Sequence, residues 1–238
     1  MLLRALKQFW RRYRLSRHRI AAQCSVPTFS AGARSGVWTV CPERLGPDSV
    51  VYSFGVGNNI EWELALIERF GVTVHAFDPT PASVAWLRTQ SLPDEFHFAP
   101  VGIAGHDGVL RFHLPQHGSR FNYHPSLEGV QNRGDTEVSL PVRRLTTLMA
   151  ERGHDRIDVL KMDVEGAEYG VLDDLLAADI PIGQVLVEFH HHFAGVGLGA
   201  TVRAVRSLNA AGYRIFHISE RGLEFSFLRS AESIPVAA

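Results

Sequence analysis

Two hydrophobic periods alternate along the chain. Val50-Val51-Tyr52-Ser53-Phe54 is a β-branched and aromatic run of strand length, broken by Gly55 and Gly57. Leu64, Ile67 and Phe70 then recur at helical spacing, with Ala65 and Leu66 beside them. The switch repeats. Residues 72–77 predict a second strand, ending at Asp78. Pro79 and Pro81 turn the chain into a helix around 83–89, with Thr80 as its N-cap. Residues 95–101 predict a third strand, 157–162 a fourth ending at Asp163, and 184–189 a fifth followed by His190-His191-His192. Residues 109–114 and 138–145 read as extended and 146–152 as a short helix. The stretch 115–137 is polar and aperiodic, and a loop of that length suits a cover over an active site. Val171, Leu172, Leu175 and Leu176 mark one late helix, and residues 201–211, closed by Gly212, another. Residues 213–218 and 223–228 flank a tight turn at 219–222, which predicts an antiparallel hairpin.

Strands alternating with helices predict an α/β fold: a mostly parallel sheet with helices on both faces and a C-terminal antiparallel hairpin. Ligands of such sheets sit outside the carboxyl ends of the strands. Gly55, Asp78, Val101-Gly102, Asp163 and the stretch from Glu188 to His191 all fall at those ends. Gly55 and Gly57 let the backbone turn sharply and approach a ligand. Asp78, about 20 residues on, is placed to accept hydrogen bonds from ribose hydroxyls. A nicotinamide dinucleotide and S-adenosylmethionine both offer a ribose. The dinucleotide fingerprint wants a third glycine where this chain has Ile60, and a pyrophosphate would lie beside Glu61. S-adenosylmethionine carries no phosphate, so the pattern favours the methyl donor and a Rossmann-like methyltransferase sheet.

Charge changes the picture at one end. The net charge of −1 hides an asymmetry, because residues 1–20 hold Arg4, Lys7, Arg11, Arg12, Arg14, Arg17 and Arg19 and no acid. Leu2, Leu6, Phe9 or Trp10, and Tyr13 recur among them. The division expected is a basic amphipathic helix over 1–22, a connector over 23–36 and a methyltransferase domain over 37–238. Such a helix packs on its own domain or lies on an anionic membrane surface. The acidic remainder disfavours nucleic acid as a partner. No apolar run reaches the length of a membrane span. Cys24 and Cys41 offer neither a disulfide framework nor zinc spacing, which suits a reducing cytoplasmic setting.

Four segments resemble the FkbM-like family of S-adenosylmethionine-dependent methyltransferases: 51–57, 74–81, 158–168 and 186–191. The likeness covers about residues 37–228, and the Lys161–Glu168 stretch is its most specific part. The resemblance implies methyl transfer, usually to an oxygen on a sugar or secondary metabolite. One departure matters. Many methyltransferases carry an acid two residues before the first glycine, where this chain has Ser53. Glu61 or backbone carbonyls would then hold the methionine end of the donor.

The expected cofactor residues are Gly55, Gly57, Asn58, Glu61, Asp78, Pro79, Val101, Gly102 and Asp163. Glu165 and Glu168 read as acids stabilising the start of a helix. Glu188 ends an apolar strand and needs a partner if buried. A strand continuing past it puts His190 on its side and His191 opposite. Asp163, Glu188, His190 and His191 are the candidate catalytic residues. A histidine there could take the proton from an alcohol. Asp163, Glu188 and His190 could instead hold a divalent cation such as Mg²⁺. The acceptor expected is a hydroxyl of a small molecule, sugar or glycolipid. The competing reading is a non-catalytic cofactor-binding scaffold attached to a membrane by its first helix.

Overall fold

The computed structural model describes residues 2–33, 36–114, 121, 124–125, 136–193 and 195–230. In chain order its elements are α1 (Leu2–Arg17), β1 (Phe29–Ala31), β2 (Trp38–Val40), β3 (Val50–Phe54), α2 (Glu61–Phe70), β4 (Thr73–Phe77), α3 (Pro81–Leu87) and β5 (Phe96–Ala99). There follow β6 (Gly102–Ile103), β7 (Gly108–Leu114), β8 (His124–Pro125), β9 (Thr136–Arg143), α4 (Leu145–Arg152) and β10 (Ile157–Met162). The last are α5 (Glu168–Ala177), β11 (Ile182–Glu188), α6 (Leu198–Ala210), β12 (Tyr213–Ile218) and β13 (Glu224–Arg229).

Seven strands form the central sheet in the order β12-β13-β11-β10-β3-β4-β5. The pairs from β11 through β5 are parallel, and β13 runs antiparallel between β11 and β12. The chain reverses its direction of progress between β3 and β10. The carboxyl ends therefore splay apart there and leave a crevice.

Alternation along each strand feeds two cores. Tyr52, Phe54, Leu160, Met162, Val185 and Val187 face one side with residues of α4, α5 and α6. Val51, Val159 and Leu186 face the other, with Trp62 and Leu66 of α2 and Trp38 of β2. Burial on both faces is why these strands read as nearly continuous apolar runs.

Two arrangements differ from the sequence reading. The stretch 23–36 is not a bare connector: it carries β1, which pairs antiparallel with β2 and packs Phe29 edge-on to Phe70. Strands β6 to β9 form a separate four-stranded sheet in the order β6-β9-β7-β8 rather than joining the central one. Most of the expected cover at 115–137 lies outside the described residues.

Candidate active site

The turn after β3 is built around two glycines that do different things. Gly55 has φ +76°, and a Cβ on it would stand 1.7 Å from the carbonyl oxygen of Asp163. Its bareness admits a neighbouring strand end, and the residue also lines the cleft. Gly57 has φ +56° and faces open space, so its bareness leaves room for a ligand. The Gly57 amide donates to Asp78 Oδ2 at 2.9 Å, while the Thr80 amide and hydroxyl donate to Oδ1 at 2.9 and 2.7 Å. Asp78 is buried, and burial raises its carboxyl group's pKa against the pull of those donors. Oδ1 is filled by its two donors, and Oδ2 keeps a free lone pair for a hydroxyl.

A cleft of about 240 Å³ opens above this turn. Gly57, Asn58, Asp78, Pro79 and Gly102 line one stretch of it, and Ile103 and Phe112 roof it from the second sheet. Phe121, the one described residue between 115 and 123, reaches the same wall.

The floor holds a charged pair. Lys161 and Ser53 are register partners on β10 and β3, and both side chains face α2. Ser53 donates to Glu63 Oε1 at 2.6 Å, and the Lys161 ammonium lies 3.8 Å from that oxygen. Lys161 also donates to the Gly55 carbonyl at 3.1 Å. The acid that supplies this region is therefore Glu63. Glu61, the expected substitute, is exposed on the first turn of α2 and is not part of the cleft wall. Its carboxylate sits two residues before Glu63, on another face of the helix.

At the opposite end, the chain ends of β10 and β11 bring four acids around one imidazole. His190 Nε2 is 3.3 Å from Glu165, 3.7 Å from Asp163 and 4.0 Å from Glu188. Its Nδ1 is 3.4 Å from Glu168. Glu168 is fully buried and works as a staple, accepting the His190 amide at 2.7 Å and the Gly166 amide at 2.8 Å. Glu165 is lifted out of that helix-capping role. Its φ of +51° turns it to the cleft beside Asp163.

The charges are unequal in their effect on each group. Burial opposes a charged His190, but Glu168, Asp163 and Glu165 outweigh it and push the imidazole up to about 10. Burial and Asp163 push Glu165 up to about 7. Burial, Asp163 and Glu224 push Glu188 up to about 8, against His190 and Arg221. Arg221, from the β12–β13 turn, donates to Glu188 at 2.9 Å. Asp163 Oδ1 is buried without a hydrogen-bond partner among the described residues.

Several expected site residues are thus separated. Asp163 and Glu188 line the cleft, with His190 packed directly behind them. His191 turns away, its Nδ1 3.3 Å from Thr201 of α6, and burial holds its pKa down to about 4. It cannot touch an acceptor in the cleft. Val101 packs into the core, leaving Gly102 at the wall. The expected metal set also changes. Asp163, Glu165 and His190 offer atoms all within 4.8 Å of one another, whereas Glu188 is held by Arg221. Sequence reasoning missed Glu63, Lys161 and Arg221. For Lys161 a signal existed, since a charge inside an apolar strand demands a partner as Glu188 does; a turn arginine such as Arg221 carries none.

Comparison with known proteins finds methyltransferases. The chain is 29% identical over 214 residues to 31-O-demethyl-FK506 methyltransferase FkbM of Streptomyces tacrolimicus, covering 75% of this chain and 82% of that one. It is 28% identical over 178 residues to the probable methyltransferase-like protein 24 of Homo sapiens, covering 70% of this chain. It spans 42% of that human protein and 48% of its Rattus norvegicus counterpart, under half of either. A crystal structure of methyltransferase FkbM from Methylobacillus flagellatus superposes with TM-score 0.49 at 15% identity, over 78% of this chain and 44% of that one. Residues 31–215, from β1 into β12, match the methyltransferase FkbM domain, and the chain belongs to that family.

Proposed function

We propose that this chain is an S-adenosylmethionine-dependent O-methyltransferase acting on a hydroxyl of a small molecule, sugar or glycolipid. One observation carries the reading: a single cleft joins the Gly57–Asp78 clamp to the Asp163–Glu165–Glu188 wall. S-adenosylmethionine supplies a methyl group already activated on a sulfonium. This chain's residues have to bind, align and deprotonate. Asp78 takes the ribose hydroxyls, and Gly57, Pro79 and Gly102 leave room for the adenosine. Alignment of donor and acceptor is worth about 7–11 kcal/mol.

The acceptor hydroxyl must lose its proton. His190 is not suited to take it, because its acidic neighbours keep it protonated. Its charge instead steadies Asp163 and Glu165. Glu165, raised to about 7 and facing the cleft, is the proton acceptor this geometry favours. A positioned base contributes roughly 10²–10⁴-fold. A divalent cation is the alternative to the proton on His190: it would displace that proton from Nε2 and be held by the neutral imidazole with Asp163 and Glu165, whose carboxylates suit Mg²⁺ or Mn²⁺. Bound there, it would lower the pKa of the acceptor hydroxyl.

The test is methyl transfer from labelled donor to a panel of hydroxylated glycans, lipids and secondary metabolites, with and without chelator. Asp163→Asn and Glu165→Gln should each lower turnover about 10²-fold or more while leaving donor affinity within threefold. Chelator-resistant turnover assigns the proton to Glu165. Turnover restored by added Mg²⁺ assigns the cation. Unchanged turnover in both variants overturns the site. A non-catalytic scaffold leaves four acids gathered on a buried histidine without a purpose, and is disfavoured for that reason.

A second feature bears on where the acceptor is found. The outer face of α1 exposes Leu6, Phe9, Trp10 and Tyr13 among arginines, and among the described residues no helix is long and apolar enough to cross a membrane. We read α1 as a peripheral contact with an anionic, cytoplasmic bilayer surface. FkbM is a 31-O-demethyl-FK506 methyltransferase and NoeI of Sinorhizobium fredii is a 2-O-methyltransferase, so hydroxylated small molecules are the class to try first.

A further inference from the structure

We propose that Lys161 and Glu63 form a recognition site for an α-amino-acid zwitterion, the methionine end of the methyl donor. The inference rests on the reading of the cleft as an S-adenosylmethionine site and assigns the end of that site where Ser53 replaces the customary acid.

The two side chains are almost fully buried, at 3% and 1% exposure, and both line the cleft. Burying opposite charges is costly unless their remaining hydrogen-bonding capacity is met. Here the described residues do not meet it. A lysine ammonium has three donors. Among the described residues Lys161 places one, on the Gly55 carbonyl, and 3.8 Å to Glu63 is too long for a second. Trp38 covers its other side, its ring centre 5.3 Å from Nζ. Glu63 accepts from Ser53 through Oε1 alone. Two spare donors thus sit beside a spare acceptor, under a turn whose Gly57 leaves open space. A free α-carboxylate and α-ammonium on one carbon present the complementary pair. The carboxylate meets Lys161, and the ammonium meets Glu63.

The location agrees with the rest of the cleft. Lys161 lies two residues before Asp163 on β10, and Gly55 separates it from the clamp at Asp78. An adenosine held at Asp78 and Gly102 would direct its 5′ substituent toward this pair and put its sulfur near Asp163. The hairpin of β1 and β2 closes the end: Gly36 and Trp38 line it, and Asn59 ties it down by donating to the Ala33 carbonyl at 3.1 Å.

Calorimetry with two ligands tests this without turnover. S-adenosylhomocysteine carries the amino-acid end, whereas 5′-methylthioadenosine keeps the adenosine and sulfur and lacks it. The wild-type protein should prefer S-adenosylhomocysteine at least tenfold. Lys161→Met and Glu63→Gln should each reduce that preference about tenfold or more while holding 5′-methylthioadenosine within threefold, which also shows that the variant is folded. Asp78→Ala should weaken both ligands together. If a variant does not fold, the wild-type protein decides alone: analogues lacking only the carboxylate or only the amino group should each bind at least tenfold more weakly than S-adenosylhomocysteine. Equal affinity for all the analogues overturns the proposal while Asp78-dependent binding upholds the cofactor reading. Equal loss of both ligands in Lys161→Met makes the pair a structural ion bridge and overturns it too. Failure of every ligand to bind the wild-type protein overturns the cofactor reading and this inference together.

Discussion

The carbonyl oxygen of Asp163 occupies the space that a Cβ on Gly55 would need, 1.7 Å from its ideal position. The glycine turn of β3 and the acid of β10 are therefore one structure: Asp163 donates its amide to the Phe54 carbonyl at 3.0 Å as it passes. Gly55→Ala must push the two strand ends apart and hold alanine at a left-handed φ. Overpacking costs about 1–3 kcal/mol and the left-handed backbone about 1–2 more. Gly57→Ala has only the backbone term, because its side chain would enter open space. Denaturant titration should show Gly55→Ala as the less stable variant by at least about 1 kcal/mol. Gly57→Ala should instead lose affinity for S-adenosylhomocysteine. Equal stability in the two variants would remove the claim that Gly55 serves packing.

Asp78 is expected to separate the two nucleotide ligands that the sequence pattern admits. Its carboxylate holds the turn through Gly57 and Thr80 as well as facing the cleft. Hydrogen bonds to a charged group contribute about 1.5–3 kcal/mol, so Asp78→Ala should weaken S-adenosylhomocysteine by roughly 10- to 150-fold. Wild-type protein should not bind NAD measurably, since Glu61 stands near the helix N-terminus that a pyrophosphate would seek. Tight NAD binding without a response to S-adenosylhomocysteine would reverse the assignment.

The central sheet was legible because its strands are buried on both faces and so keep their apolar character through most positions. The second sheet was not recognised as separate. Along β7 only Phe112 is buried, so 108–114 shows a strand without saying which sheet it joins. At the site, the residues legible in advance were those at strand ends, where topology alone brings Asp78, Asp163 and Glu188 together. Glu63 was missed because its partner Ser53 lies across a strand–helix packing, which no local spacing encodes. Its signal was an acid between Ile60 and Ile67 on a helix face that is otherwise apolar. His190 was legible in position but not in protonation, which depends on Glu168 and Glu165 folding back against it.

Stability should fall in mild acid through His75. This residue sits on β4 against the Tyr52 ring, and burial, together with His154, His97 and Arg152, lowers its pKa to about 3. A depressed histidine is neutral in the fold and takes up a proton when released. The unfolded chain thus binds more protons between about pH 6.5, its unperturbed value, and about 3. Unfolding free energy is complete above that window and declines as pH drops through it. His154, also lowered by burial and Arg152, adds to the slope. Denaturation from pH 7 to pH 4 should show the decline, and His75→Phe should flatten it. An unchanged slope in that variant would place the acid sensitivity elsewhere.

The last prediction concerns α1. Phe9 and Trp10 are 62% and 53% exposed, whereas Leu15 and Ile20 are buried in the main core. One side of the helix is thus bound to the domain, by Leu15 against the turn at Gly222, and the other presents aromatic rings among cations. Deleting residues 1–20 would confuse the two roles, since each lost core side chain costs about 1.5–3 kcal/mol. Point substitutions keep them apart. Phe9→Ser with Trp10→Ser should leave the unfolding midpoint and cofactor affinity unchanged and abolish sedimentation with anionic vesicles. Arg12→Gln with Arg17→Gln should weaken it roughly 30-fold, at about 1 kcal/mol for each charge near the surface. Wild-type binding should also fall as salt is raised, because exposed charges are screened within about 10 Å at 0.1 M. The turn at Gly222 that carries α1 also carries Arg221 to Glu188. If vesicles bind through α1, they should therefore also alter turnover on a lipid-linked acceptor relative to the same acceptor cut free of its lipid. Vesicle binding that survives both pairs of substitutions would assign the contact to another surface.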